Sequence, residues 1–360
     1  MGTRGDLIDD AAGNEGGMTG EFTAGEGSEL INVSAQTLSR TVDIDTGVKR
    51  PFSGWDVRDE DVWGGVKHNF ETLDQFQSAV NLEDGLTKIG IGPTFVDIYA
   101  TIRHGNPLFI YFNGAPKDRR SVKFPIFSGS RIHPSDECSR LSISDPALHI
   151  SEKFKLGWYA GSKYFETQKI VIPAILDKII SLAKPSTIVF VGGSGGGFAS
   201  LFFSRLCPGS IAVVCNPQTN ILRYHKTMVR KFLSICYNVY SISAAAKDSE
   251  VTCRITKDLC RMYDPRKGGL RNKIIYMQNI NDRFHYEQHY RLFAQALGVT
   301  VADEVGFSQQ GNFLSLIGDW GKGHSAAPRD LWTLILRNIV LYEKNLNDLI
   351  ERNEGEKLVR

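Results

Sequence analysis

The stretch Ser186-Thr187-Ile188-Val189-Phe190-Val191-Gly192-Gly193-Ser194-Gly195-Gly196-Gly197-Phe198-Ala199-Ser200-Leu201 decides the fold of this chain. It reads as a buried strand, a glycine-rich turn and the start of an apolar helix. At its centre, Gly192-x-Ser194-x-Gly196 has the form of a nucleophile elbow. An elbow holds its serine in a strained turn, so the flanking positions must let backbone pass close by. The serine oxygen then stands clear of the sheet, and the N–H of Gly195 at the helix start is placed to stabilise an oxyanion. Other glycine motifs fit less well. A phosphate loop ends in Gly-Lys-Ser/Thr, but Phe198 follows Gly197. A dinucleotide fingerprint lacks its third glycine, because Phe198 and Ser200 stand where it is needed. A purely structural glycine turn is the remaining alternative.

Outward from the elbow, strand and helix patterns alternate. Phe95 to Ile102 alternates as a strand open on one face does, and Pro107 to Phe112 is a continuous apolar run ending at Asn113-Gly114-Ala115-Pro116. Ile170 to Ala183 reads as a helix. Ile211 to Cys215 and Lys273 to Met277 read as buried strands, His285 to Leu297 as a helix, and Asn312 to Ile317 as a last strand. Pro328 opens a helix that runs to about Leu346. This alternation predicts an α/β fold, a doubly wound and mostly parallel sheet.

The N-terminal side is less regular. Residues 1–28 are rich in Gly, Ala, Asp and Glu and read as a disordered tail. Residues 29–92 form a β-rich region, either an appendage or early strands of the main sheet. Leu30-Ile31-Asn32-Val33 and Thr41-Val42-Asp43-Ile44 are its strand candidates, and Phe70 to Leu82 its helix. Residues 93–350 form the main domain, with a lid-like helical insertion at 217–272.

Composition narrows the function classes. A chain of 360 residues with 42% hydrophobic residues fills a sizeable core, and a net charge of +2 argues against a globally basic nucleic-acid binder. The longest apolar candidate for a membrane span, Phe198 to Cys215, is interrupted by Arg205, Pro208 and Gly209. No apolar segment follows Arg4, so no signal peptide and no transmembrane segment is expected. The six cysteines show no Cys-x-x-Cys spacing, which suits free thiols in the cytoplasm.

In open α/β sheets, functional groups collect beyond the carboxyl ends of the strands. Ser194, Asp282, His324 and the Asn113-Gly114-Ala115 segment each follow such an end. The order Ser…Asp…His is that of the α/β-hydrolase triad. Ser194 is the expected nucleophile, His324 its base and then acid, and Asp282 the group that orients the imidazole. The N–H groups of Gly195 and of Gly114 or Ala115 are the expected oxyanion hole. Asn113, Arg261 and Arg266 are the candidate substrate contacts. Asp264 and Asp319 are rival acids, and a helix cap is the structural alternative for Asp282. His285 and His289, four apart, have no obvious third ligand and read as helix-surface or rim residues. No metal and no cofactor is expected. The insertion is basic, with Arg223, Lys226, Arg230, Arg261 and Arg266 among its cations. It reads either as a solvated helix face or as an electropositive wall for an anionic substrate.

Four segments carry a resemblance: Phe109 to Ala115, Phe124 to Gly129, Gly193 to Ser200 and Gln278 to Asp282. With the His324 loop, they resemble the α/β-hydrolase proteins related to the accessory secretory protein two of Gram-positive bacteria. The resemblance covers roughly Thr94 to Leu346 and stops short of the N-terminal region. Members carry Ser-Asp-His triads, and some are linked to O-acetylation of glycans on exported glycoproteins. Similar proteins occur near surface-polysaccharide genes, and the outline is similar to that of capsule O-acetyltransferases. The resemblance implies carbohydrate ester chemistry on a glycan or glycoconjugate; the residues alone imply serine acyl transfer. A catalytically silent binding module in glycan export and a peptidase of the same fold are the alternatives. Acyl donor and oligomeric state are left open by the sequence.

Overall fold

The computed structural model describes residues 58–119 and 122–342. The expected tail at 1–28 and the candidate strands at 30–33 and 41–44 lie outside the described residues. From the N-terminal side come β1 (Val66–Phe70), α1 (Leu73–Ser78), β2 (Gly85–Gly90), β3 (Phe95–Thr101), β4 (Leu108–Phe112) and β5 (Ser139–Ile143). Next are α2 (Ile172–Ala183), β6 (Ile188–Gly193), α3 (Ser194–Leu206) and β7 (Ile211–Cys215). The insertion contributes α4 (Lys226–Tyr237), α5 (Ile242–Lys247), α6 (Ser249–Arg254) and α7 (Leu259–Met262). The chain closes with β8 (Lys273–Asn279), α8 (Arg283–His285), α9 (Arg291–Leu297), β9 (Gly306–Gln310), β10 (Phe313–Gly318) and α10 (Arg329–Tyr342).

The strands form one ten-stranded sheet in the order β1-β2-β3-β5-β4-β6-β7-β8-β10-β9. Among the described residues only β3 and β9 run against the others. Every residue of β4 and β7 is buried, which is why both read as unbroken apolar runs. The pleat divides them between two faces. Leu108, Ile110 and Phe112 join one core with α2, α3 and α9, while Phe109 and Tyr111 join a second. That second core is closed by Leu331, Ile335, Leu336 and Ile339 of α10, a stripe at helical spacing. Helices therefore cover both faces of a doubly wound sheet, and the order β2-β3-β5-β4-β6-β7-β8-β10, with β3 alone antiparallel within it, is that of the α/β-hydrolase fold.

Two expectations change. Residues 58–92 are not an appendage: β1 and β2 extend the main sheet at one edge, and Phe76 of α1 is buried in the first core. The helices expected at 170–183 and 285–297 each begin with a π-turn, at Thr167–Val171 and Tyr286–Tyr290. No helix among the described residues is long and apolar enough to cross a membrane. The cysteines are all free.

Candidate active site

Ser194 ends the β6-to-α3 turn with φ +54°, a left-handed conformation that costs energy for a residue with a side chain. Crowding explains its glycine neighbours. A Cβ on Gly196 would lie 2.2 Å from the carbonyl oxygen of Phe112, and one on Gly192 would lie 2.4 Å from that of Gly196. The first turn of α3 is thus pressed against the carboxyl end of β4. That packing brings Gly114 over the serine: a Cβ on Gly114 would be 3.5 Å from the Ser194 Cβ. The N–H of Gly195, in the opening turn of α3, lacks an intrahelical partner. Among the described residues, no hydrogen bond occupies the N–H of Gly114 or Ala115. Of the expected oxyanion donors, Gly195 follows the serine directly and Gly114 packs against it.

Asp282 caps α8 after β8 and is nearly buried. Its Oδ2 accepts from His324 Nδ1 at 2.5 Å, and its Oδ1 accepts from His285 Nδ1 at 3.0 Å. Burial opposes ionisation of this carboxyl, but the bonds from His285 and His324 hold it well below the usual carboxylate range. The two imidazoles stack, with centroids 4.1 Å apart and planes 20° apart. His324 is 41% exposed at its side chain, whereas His285 is buried. Burial pushes the His285 imidazole down, against the pull of Asp282.

His285 is held from its other side by Gln218, a residue that sequence reasoning did not single out. Gln218 Nε2 donates to Ser194 Oγ at 2.8 Å and to His285 Nε2 at 2.7 Å. The orientation of this amide is fixed by Trp158, whose indole Nε1–H donates to Gln218 Oε1 at 3.1 Å. An indole nitrogen only donates, so the amide oxygen must face it and the NH2 must face Ser194 and His285. His285 Nε2 is then an acceptor, and its proton sits on Nδ1 toward Asp282. Every hydrogen position from Trp158 to Asp282 follows from the indole.

The His324 loop is set by two asparagines at strand ends. Asn279 Nδ2 donates to the carbonyls of Gly321 and Gly323, each at 2.9 Å, and its Oδ1 accepts from Trp320 N at 3.2 Å. Asn216 Nδ2 donates to Ser325 O at 2.8 Å, and its Oδ1 accepts from Asn279 N at 2.7 Å. The signal for both, a polar residue directly after a buried apolar run, was present in the sequence.

Several expectations shift at this level. Asn113 is not free to contact substrate: its Oδ1 accepts from Tyr159 Oη at 2.5 Å, and its Nδ2 donates to Gly114 O at 3.0 Å. Asp319 touches no histidine and accepts from Asn281 Nδ2 at 2.6 Å. Asp264 caps a short turn and pairs with Arg266 at 2.6 Å. Arg266 lies near the wrong end of the molecule for the substrate role. Its neighbour Lys267 accepts from Arg205 at the last turn of α3, about 16 Å along that helix from Ser194. Arg261 is 85% exposed and pairs with Asp258 at 3.5 Å.

His285 and His289 are buried rather than on the helix surface or rim. His289 Nδ1 accepts from Thr219 N at 3.2 Å, beside Gln218. Asp282, His285 and His324 bring ligand-type atoms within 4.8 Å of one another, a group that does not include His289. In this arrangement both Nδ1 atoms carry protons toward Asp282, so a metal ion would have to displace them. Ser194 and His324 are not hydrogen-bonded to each other.

No family model matches this chain. No curated protein matches it. Among solved structures it is similar to the capsule O-acetyltransferase of Neisseria meningitidis serogroup A, at 14% identity and a TM-score of 0.47 over 77% of this chain and 99% of that one. It is also similar to the glycosylation-associated protein (Gap123) complex of Streptococcus agalactiae, at 16% identity and a TM-score of 0.44, covering 64% of this chain and 40% of that one. An acylaminoacyl peptidase of Pyrococcus horikoshii matches at 12% identity and a TM-score of 0.48, over 79% of this chain and 45% of that one. Nothing about the site follows from likenesses this distant.

Proposed function

We propose that the chain is a serine esterase or O-acyltransferase that works through an acyl-enzyme on Ser194. The observation that carries this reading is the grip of Asp282 on His324 at 2.5 Å beside an elbow serine whose alternative route for its proton is blocked. That route would run through Gln218 to His285. A carboxamide between them donates to both sides and does not accept and pass on a proton, so His285 is not the base.

The steps follow from the geometry. Ser194 Oγ attacks an acyl carbonyl while its proton moves to His324 Nε2. Asp282 stabilises the resulting imidazolium. The carbonyl oxygen, now an oxyanion, takes hydrogen bonds from Gly195 N–H and from Gly114 or Ala115 N–H. His324 returns the proton to the leaving oxygen. Water or a sugar hydroxyl, giving its proton to His324, then attacks the acyl carbonyl; the bond to Ser194 Oγ breaks and His324 returns that proton to Oγ. A glycan or glycoconjugate as acceptor follows from the sequence resemblance.

The Gln218 contact with Ser194 Oγ favours a second reading, a catalytically silent module whose serine is tied up. A fluorophosphonate probe decides between them. The expected result is stoichiometric labelling mapped to Ser194 and absent in Ser194→Ala. A folded protein that stays unlabelled would exclude the acyl-enzyme reading.

A further inference from the structure

The insertion carries a groove of about 910 Å³ whose lining includes Arg223, Lys226 and Arg230, with no acidic residue among the lining side chains. Three other arginines of the insertion have carboxylate partners: Arg254 has Glu166 and Glu250, Arg261 has Asp258, and Arg266 has Asp264. Arg223, Lys226 and Arg230 are exposed and form no ion pair among the described residues. A solvated helix face would intersperse both signs of charge; here one sign collects in a concave place. The positive end of α4 adds to it, because α4 begins at Lys226 and His225 provides no side-chain cap.

The groove shares a wall with the candidate active site. Tyr224 lines the groove, and its ring centroid is 5.7 Å from that of His285. It also packs edge-on against Trp158 at 5.8 Å, the side chain that orients Gln218. Tyr240, 77% exposed, offers a second aromatic face in the groove, and the Gln288 amide offers both a donor and an acceptor.

We propose that this groove binds a phosphate-bearing saccharide. The guanidinium forks of Arg223 and Arg230 and the ammonium of Lys226 receive the phosphate oxygens. A sugar ring lies against the tyrosine faces, and its hydroxyls meet Gln288. The assignment deepens the acyl-transfer reading, since a saccharide held here extends across Tyr224 toward Ser194. It also moves the substrate-selecting charge away from Arg261 and Arg266.

The test is calorimetric titration of the full chain with glucose 1-phosphate, inorganic phosphate and glucose. Glucose 1-phosphate is expected to bind at least about tenfold tighter than either of the others, through phosphate and ring contacts together. Arg223→Gln with Arg230→Gln should weaken that binding at least about tenfold, as expected for losing two charge-assisted forks. Arg261→Gln with Arg266→Gln, which removes the same charge, should bind as the unaltered protein does. All four side chains are exposed, and equal melting temperatures would show that the fold is kept. Equal binding of inorganic phosphate overturns the proposal, as does equal weakening in the two charge-matched variants or full binding in the groove variant. Ser194→Ala should bind glucose 1-phosphate unchanged, so a failure of the acyl-transfer chemistry would be seen separately from a failure of the groove.

Discussion

Replacing Asp282 by Asn separates the role of its charge from that of its shape. The carboxylate accepts three hydrogen bonds: Oδ2 from His324 Nδ1 at 2.5 Å, and Oδ1 from His285 Nδ1 at 3.0 Å and from His285 N at 3.2 Å. An amide keeps one acceptor oxygen and turns the other into a donor, so one imidazole must shed or move its Nδ1 proton. If the amide oxygen stays with buried His285, His324 meets an NH2 and is forced into the tautomer that cannot accept from Ser194. The imidazolium of the transition state also loses its counter-charge. A charge pair a few ångströms apart in surroundings of effective dielectric near 20 contributes about 4 kcal/mol, or nearly three orders of magnitude in rate. Together with the tautomer effect, a fall in kcat of about 10³ to 10⁴ is expected, with KM changed by less than about threefold. Asp319→Asn should change kcat less than about threefold, because an amide oxygen can still accept from Asn281 and Gly321. Hydrolysis of p-nitrophenyl acetate, followed by absorbance, measures both. An Asp282→Asn protein that melts normally and keeps more than a tenth of the activity would refute the reasoning, as would a larger loss in Asp319→Asn.

Two further outcomes concern stability. Gln218→Leu strips the buried Trp158 indole of its acceptor and the buried His285 Nε2 of its donor, which should cost about 2–4 kcal/mol by urea unfolding; unchanged stability would show that the network is not formed. Burial pushes the His133 imidazole down to about 4, where Tyr111 Oη donates to its Nδ1 and its Nε2 donates to Cys138 O. Below its unfolded value of about 6.5 the unfolded chain therefore binds the extra proton, and stability falls as pH drops toward 4, by at most about 3 kcal/mol. Burial raises the Asp145 carboxyl to about 6, which tilts stability the opposite way over much the same range. The test is therefore the difference in stability between the unaltered protein and His133→Gln across pH 4 to 7. A difference that does not vary with pH would contradict the assignment.

The legible parts of the fold are those where burial is apolar. β4, β6 and β7 are recognisable because both of their faces pack on side chains, and the elbow because its glycines answer a steric demand that no other residue meets. β5 was missed because its burial is polar. Ser139 Oγ donates to Arg103 O and accepts from Arg103 N, and Arg140 lies over the Tyr99 ring while bonding Ser142 and Ser128. A strand that satisfies its polar groups internally has no hydropathy signature. The same holds for the site. Ser194, Asp282 and His324 follow strand ends and could be named from order alone, but Gln218 and His285 are known by contacts 67 residues apart in sequence. His285 and His289 are neighbours as their four-residue spacing implies, with ring centroids 5.3 Å apart, but the face they share is turned into the protein, which the spacing does not reveal.

The glycines of the elbow are not equally fixed, and this bears on how such a site can be altered. At Gly192 and Gly196 an added methyl group meets backbone, which cannot move aside. At Gly195 it meets the Cδ1 of Leu156 at 2.2 Å, the tip of a side chain from a different loop. Shortening Leu156 would make room for alanine at Gly195 without disturbing the turn that holds Ser194. Positions 156 and 195 therefore form a tunable pair. Gly195→Ala should be tolerated together with Leu156→Ala and not alone, while Gly192 and Gly196 admit no such compensation.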